Sequence, residues 1–419
     1  MDCIGQKPLG ALLAEKCEQF ADRECIVFED RDGRHMTISY RRFWAMVSQY
    51  AAILHDGGIR KSGRVMVVMM NCPEFIAVWF ALARIGAVCM PVNVLAGAKE
   101  LNVIADFTEA AAAITEPRYA ALLAGVSQIP RVFVTRTASW NPNAEMFPTA
   151  VVLDGDDVPA APPAEAGVSA DDDALILFTA GADSELRAVV LTHANALFAG
   201  IFGAFAWQLT PQDRHLMVLP LFHINALFIS VMPTLMAGAT LIMTDQFNED
   251  IFMRQVREYR ATSASLVSAN VKLLLDQPAD PQDSANDLRH IMYAFAISEQ
   301  ERAAFEQRFN TRLCDLWGLT ETLGATTLSP VFRKNKHNSI GIVRLGNEVK
   351  VVDDQGRELP PGQEGELIVR GVPGRTLMRC YFNDQELMSR KMRDGWFYTG
   401  DIGSMDADGY FYFSEKNYS

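Results

Sequence analysis

Paired cysteines are missing from this sequence. Its seven cysteines are scattered and no two stand as C-x-x-C. That excludes a disulfide framework and a common zinc-ligand spacing, and the odd, dispersed set reads as reduced thiols in a cytoplasmic protein. No apolar run is long enough to span a bilayer. The opening "MDCIGQKPLGALLAEK" lacks the basic-then-apolar order of a secretory signal. Basic residues are in deficit: lysine and arginine total 38 against 51 acids, a formal net charge of -13. That deficit argues against nucleic acid and against an anionic membrane surface as partners. Internal repeats are also lacking, so the chain is not a repeat array.

What is present is a globular composition, 49% hydrophobic and 10% aromatic over 419 residues. That is too long for one simple core and predicts two or three packed subdomains. Short apolar runs alternate with helical spacing. "RVMVVMM" (64–70), "GAVCMPVN" (86–93) and "AAAAIT" (110–115) read as buried strands, and "CPEFIAVWFALARIG" (72–86) between the first two has helical periodicity. Strand–helix–strand order predicts parallel, right-handed units covered on both faces. A connector rich in Pro, Ala and acid (155–173) precedes a second alternating region with strands at 215–220, 239–245, 263–268 and 290–295. From about residue 340 the texture changes to strand pairs around "DDQG" and "DADG", the marks of antiparallel hairpins.

Four stretches could carry chemistry. "LFTAGADSELRAVVLTHANAL" (177–197) has the outline of a phosphate-gripping loop, with Gly181 to bend the backbone, Ser184 as a hydroxyl and Arg187 as a cation. An ordinary turn fits the same letters. "DLWGLTET" (315–322) puts Glu321 where it could hold a hard cation such as Mg²⁺, or where it simply opens a solvated helix. In "GWFYTGD" (395–401), Asp401 at a strand end could accept two sugar hydroxyls or start a turn. In "LPLFHINAL" (219–227), His223 could line a pocket, or serve as a core or capping histidine.

The order of these stretches is more telling than any one of them. Together with "NCPEFIAVWFALARIGAVCMPVN" (71–93), "SIGIV" (339–343) and "EGELIVRGVPG" (364–374), the chain resembles the adenylate-forming superfamily of acyl- and aryl-CoA synthetases, with particular likeness to crotonobetaine/carnitine–CoA ligases. The likeness is collinear over nearly all 419 residues. It implies an α/β fold of two packed α/β subdomains plus a small C-terminal antiparallel β subdomain. The divisions would fall roughly at 1–190, 191–335 and 336–413, with 414–419 as a hinge remnant that includes Glu415. It implies that the loop at 179–188, with Thr179, Gly181, Ser184 and Arg187, wraps a triphosphate. Glu321 would bind Mg²⁺, with Thr320 as its phosphate-contacting neighbour. Asp401 would hold ribose hydroxyls, Trp317 would stack near adenine, Asp315 would meet the adenine edge and His223 would border the acyl pocket. The implied reaction joins a carboxylate to ATP, giving acyl-AMP, and then passes the acyl group to a thiol, usually CoA.

Two departures touch that chemistry. Where the family reads roughly T-S-G-T-T-G/S-x-P-K-G, this chain has Ala180, Ala182, Asp183, Leu186, Arg187 and Ala188. Hydroxyl donors are lost and a carboxylate is added where a polyanion should lie. Two like charges about 4 Å apart repel by roughly 1 kcal/mol in water and about 4 kcal/mol at an effective dielectric near 20. The sequence also stops after "SEKNYS", so the reading expects the family's mobile, lysine-bearing C-terminal domain to be absent. Three functions stay open. One is a core that binds an acyl or adenylate-like ligand, or a protein partner, without adenylating acids alone, a pseudoenzyme in which AMP or acyl-adenylate binding is retained and ATP, Mg²⁺ and CoA use is in doubt. Another is an ATP-dependent ligase of a small carboxylic acid, truncated or complemented by another chain. The third is an ATP-independent enzyme acting on a preactivated acyl group. Phe295, where the family often has a small residue, either narrows the acyl pocket or packs in the core.

Overall fold

The computed structural model of the chain describes residues 4–136, 151–153, 167–180, 186–332 and 335–414. Among these, the runs read as strands form two sheets. The first has Arg64–Val68, Val88–Pro91, Ala112–Thr115, Val132–Thr135, Val151–Leu153 and Asp173–Ala180 in parallel. It ends in two antiparallel strands, Leu186–Thr192 and Cys380–Tyr381. The parallel strands read as nearly unbroken apolar runs because both of their faces are covered.

The second sheet has a parallel centre of Glu24–Glu29, Thr240–Thr244, Arg214–Met217, Ser263–Val267, His290–Ala294 and Leu313–Trp317. The N-terminal hairpin places Glu24–Glu29 beside Thr240–Thr244, more than 200 residues away, and leaves His35–Ser39 as the edge. Beyond Leu313–Trp317 the sheet turns antiparallel through Thr327–Leu328, Ser339–Val343 and Phe411–Phe413, then Trp396–Met405, Gly365–Arg370 and Glu348–Val352. The hairpins expected at 348–371 and 396–413 are both there.

The helix Pro73–Arg84 explains how the layers join. Proline sits in its first turn, where no backbone donor is lost. Every residue from Pro73 to Ala83 is buried, as required of a helix that is apolar on all sides. Phe75, Trp79 and Phe80 belong to one continuous core with residues of both sheets, including Val65, Cys89, Leu241 and Ile291. Asn71, just before this helix, bridges the two halves. Its amide donates to the Leu219 carbonyl at 3.0 Å and its oxygen accepts from Leu221 N–H at 2.9 Å. The carboxyl ends of the parallel strands therefore border one crevice, the position where open α/β sheets bind ligands. No helix among the described residues is long and apolar enough to cross a membrane.

Gly341 has φ +90°, and a Cβ there would lie 2.0 Å from the Leu328 carbonyl carbon. Gly341→Ala is expected to destabilise the fold by about 2–3 kcal/mol in urea unfolding, through strain and displacement of the neighbouring strand; an unchanged midpoint would refute this. Burial also pushes the Glu74 carboxyl up to about 7. A carboxyl raised in the folded state costs stability as pH climbs from its unfolded value near 4.5 through 7, because the folded chain then holds the extra proton. Glu74→Gln is therefore expected to stabilise the protein at pH 8 and to lose that advantage below pH 4.5, read as the difference between two unfolding curves.

Candidate active site

The strand Leu313–Trp317 delivers the central residues. It carries Asp315 and Trp317 and runs into a tight turn, Thr320–Thr322. Gly318 is needed there because a Cβ would meet the Gly324 and Thr326 backbone at 2.9 Å. The Leu319 N–H donates to Thr322 Oγ1 at 2.9 Å, and Leu323 and Gly324 turn the chain with positive φ. Thr320 opens this turn and Glu321 follows it. Glu321 is buried, not the solvated helix start that its sequence also allowed.

Tyr381 donates its hydroxyl to Glu321 Oε1 at 2.7 Å, and Met378 N–H donates to the Glu321 carbonyl at 2.8 Å. Burial and then the Glu321 charge push the Tyr381 hydroxyl pKa well up, while the Arg187 charge pulls it back. Arg187 thus lies within electrostatic reach of the Tyr381–Glu321 pair. On the antiparallel ladder it stands opposite Thr179, and the strand carrying Arg187 pairs in turn with Cys380–Tyr381. One flank of the expected phosphate loop, at Arg187, is so brought within reach of the glutamate's partner. Gly181 and Ser184, with Ala182 and Asp183 between them, lie outside the described residues, as does Glu415.

Trp317 and Asp401 meet directly: indole Nε1 donates to Asp401 Oδ2 at 2.9 Å. Asp401 lies within the strand Trp396–Met405 instead of at its end, and its N–H donates to Thr399 Oγ1 at 3.0 Å. Asp315 is differently occupied. Arg302 Nη2 reaches its two oxygens at 2.6 and 2.5 Å. The Tyr293 hydroxyl adds a bond at 2.5 Å, Asn335 Nδ2 one at 3.1 Å and Ser329 Oγ one at 3.2 Å. A carboxylate offers about four lone-pair sites, so this one is saturated. An adenine amine at Asp315 would have to compete with these donors.

His223 is exposed in the turn before a π-helical segment, Asn225–Val231, with its ring 4.5 Å from that of Phe222. It is neither a core nor a helix-capping residue, and partial desolvation lowers its pKa. Phe295 also departs from the core-packing alternative. It is 75% exposed and has φ +71°, a conformation that a bulky residue adopts only under strain. It follows the strand His290–Ala294 on the crevice side of the sheet.

Sequence reasoning missed Tyr381, Arg302 and Tyr293. Tyr381 reaches Glu321 across 60 positions, and no spacing rule announces such a contact. Among the described residues no group of three or more His, Cys, Asp or Glu could hold a metal ion, so Glu321 would need a ligand's own oxygens to complete a Mg²⁺ site. A double-mutant cycle of Tyr381→Phe and Glu321→Gln in urea unfolding is expected to return a coupling of about 1–3 kcal/mol, because each partner is the other's buried hydrogen bond. Simple additivity would show that contact to be energetically empty.

The arrangement has known counterparts. The AMP-binding enzyme family matches residues 13–382. Crotonobetaine/carnitine–CoA ligases of Salmonella typhi and Salmonella enteritidis are 32% and 33% identical, over 99% of this chain and 81% of theirs. In structure, the chain is similar to a Rhodopseudomonas palustris protein provisionally described as a long-chain-fatty-acid CoA ligase, with TM-score 0.85, 26% identity, and 98% and 99% of the two chains covered. It is also similar to the N-terminal domain of FACL13 from Mycobacterium tuberculosis, with TM-score 0.81, 25% identity, and 98% and 100% covered. With a shared fold, a collinear sequence and Trp317, Glu321 and Asp401 gathered at one strand end, the chain belongs to the AMP-binding family of adenylate-forming, acyl-CoA-synthetase-like enzymes.

Proposed function

We propose that this chain binds an acyl or adenylate-like ligand in the crevice and does not adenylate carboxylic acids by itself. The observation that carries the reading is the composition of the loop between the strands Asp173–Ala180 and Leu186–Thr192. Ala182 and Asp183 take the positions of two hydroxyl donors, and Ala188 that of a glycine. Removing one preorganised donor to a developing oxyanion typically costs about 2.7–4 kcal/mol, roughly a hundred- to a thousandfold in rate. Here several donors are replaced and an anion is added. Ala188 is fixed in the ladder, its carbonyl accepting from Phe382 N–H at 2.8 Å.

Asp401 remains the residue suited to ribose hydroxyls, Trp317 the ring suited to the base, and Glu321 the oxygen ligand suited to Mg²⁺. The ATP-dependent acid–CoA ligase reading keeps one specific support, the approach of Arg187 to the Tyr381–Glu321 pair. Two measurements separate the readings. By calorimetry, AMP is expected to bind at least as tightly as ATP·Mg²⁺, since only the latter must enter the altered loop; clearly tighter ATP·Mg²⁺ would count against the proposal. In carboxylate-dependent ATP–pyrophosphate exchange across a panel of small acids, the unmodified chain is expected to give no appreciable signal. Exchange at ordinary ligase rates would sink the non-adenylating reading and establish the ligase.

A further inference from the structure

We propose that the acyl end of the crevice takes an aryl carboxylic acid, with the ring of Phe295 as the face that selects it. The proposal rests on the reading that the crevice binds an acyl ligand, and it names the class of acid. In the second sheet the strands Leu313–Trp317, His290–Ala294, Ser263–Val267 and Arg214–Met217 lie side by side in that order. Tyr293 pairs with Asp315, so Phe295 and Trp317, each two residues further on, leave adjacent strands at the same level. Neighbouring strands are about 4.8 Å apart. Phe222 and His223 stand in the turn after Arg214–Met217, two strands beyond Phe295 on the side away from Trp317. Phe295 therefore stands between the Trp317 ring and the Phe222–His223 pair.

Phenylalanine is a costly choice at this position. Its φ of +71° strains a bulky residue, and 75% of its surface is left to solvent. Neither packing nor backbone preference accounts for it, since glycine would relieve the backbone and asparagine would suit it nearly as well. A large apolar face held open at the lip of a binding crevice suits a ligand that covers it. Trp317 does not share that task. It is 8% exposed, and its indole N–H is held by Asp401 Oδ2 at 2.9 Å. The covering group therefore lies on the other side of Phe295, toward Phe222 and His223, where the acyl part of a ligand belongs.

The floor decides between a flat ring and a long chain. Met217, Ser265 and Met292 are in register on three neighbouring strands, so they share one face of the sheet, and all three are buried. Over that face lies the π-helical segment Asn225–Val231, whose Ile229 packs in one cluster with Met292. Ser265 Oγ donates to Asn225 Oδ1 at 2.8 Å and ties the segment to the sheet. A long acyl chain gains by burying area along its length, and here the way down between segment and sheet is filled. A planar ring needs no such depth, because it makes its contact stacked on Phe295 or edge-on to it. Partial desolvation lowers the His223 pKa, so its imidazole is uncharged at neutral pH and offers a flat, neutral face on the far side.

Calorimetry with non-hydrolysable acyl-adenylate analogues, the benzoyl, hexanoyl and acetyl sulfamoyl adenosines, tests the class of acid. Wild type is expected to bind the benzoyl compound roughly tenfold more tightly than the hexanoyl one. Phe295→Gly and Phe295→Leu are each expected to shrink that preference below about threefold, while AMP affinity stays within about twofold of wild type. The glycine variant loses strain and ring together, so its thermal midpoint is expected at or above that of wild type; the leucine variant loses only the ring. Equal binding of the benzoyl and hexanoyl compounds overturns the class of acid and leaves the adenylate-binding reading standing. Failure of all three analogues and of AMP to bind overturns both. Weakening of AMP by Phe295→Gly equal to that of the benzoyl compound gives the ring to the base and overturns the proposal. Tighter binding of the analogue carrying an aliphatic betaine gives the rings to a cation and overturns it too. A thermal midpoint lowered in both variants makes Phe295 a structural residue, with the same consequence.

Discussion

A single buried guanidinium holds the site's geometry. Arg344 donates from Nε to Asn347 Oδ1 at 2.7 Å and from Nη2 to the carbonyls of Thr322 and Thr376 at 2.9 and 3.1 Å. It lies over the Phe198 ring at 4.9 Å. Every one of these acceptors is neutral, and burial pulls the Arg344 pKa down to about 9. The arrangement is costly, yet no other side chain has five donors in a fixed fork with which to join three separate segments at one point. One segment is the turn containing Glu321. Held from below by Arg344 and from the side by Met378 N–H on the Glu321 carbonyl, that turn cannot move without uncoupling the antiparallel strands from the parallel sheet.

This rigidity gives the partners of each site carboxylate their meaning. An incoming ligand must compete with donors already in place. Glu321 has Tyr381, Asp401 has the Trp317 indole, and Asp315 has Arg302, Tyr293, Asn335 and Ser329. The first contact leaves a carboxylate with acceptor capacity to spare. The third does not, and displacing an ion pair with 14% and 19% exposed members would strand two charges in a poor solvent. Acceptor capacity is therefore graded, with room left at Glu321 and little at Asp315.

How much of this could be read from the letters depended on range. Strands covered on both faces announce themselves as Val- and Ile-rich runs, and the hairpins at "DDQG" and "DADG" follow from turn chemistry, so both were legible. The collinear order of Trp317, Glu321 and Asp401 was legible as well. The pairing of Glu24–Glu29 with Thr240–Thr244 was not, because register across 200 residues leaves no periodic trace. Nor was the left-handed Phe295, whose backbone is set by the loop around it against its own preference. The saturation of Asp315 needed the positions of four distant side chains at once, and a residue's chemical type says nothing about who has claimed it.

The loop at 181–185 illustrates why fold and chemistry can part company. The ladder on either side is complete, running in register from Leu175 opposite Leu191 to Ala180 opposite Leu186. Its stability comes from apolar residues such as Leu175, Leu177, Val189 and Leu191, all buried, and none of them would touch a triphosphate. Substituting the hydroxyls at the tip therefore removes nothing that the sheet requires. The chain can therefore keep the architecture of its family whatever residues stand at that position. Function in such a fold resides in a few side chains grafted on a self-sufficient core, so the letters at 181–185 can change without disturbing the sheet that carries them.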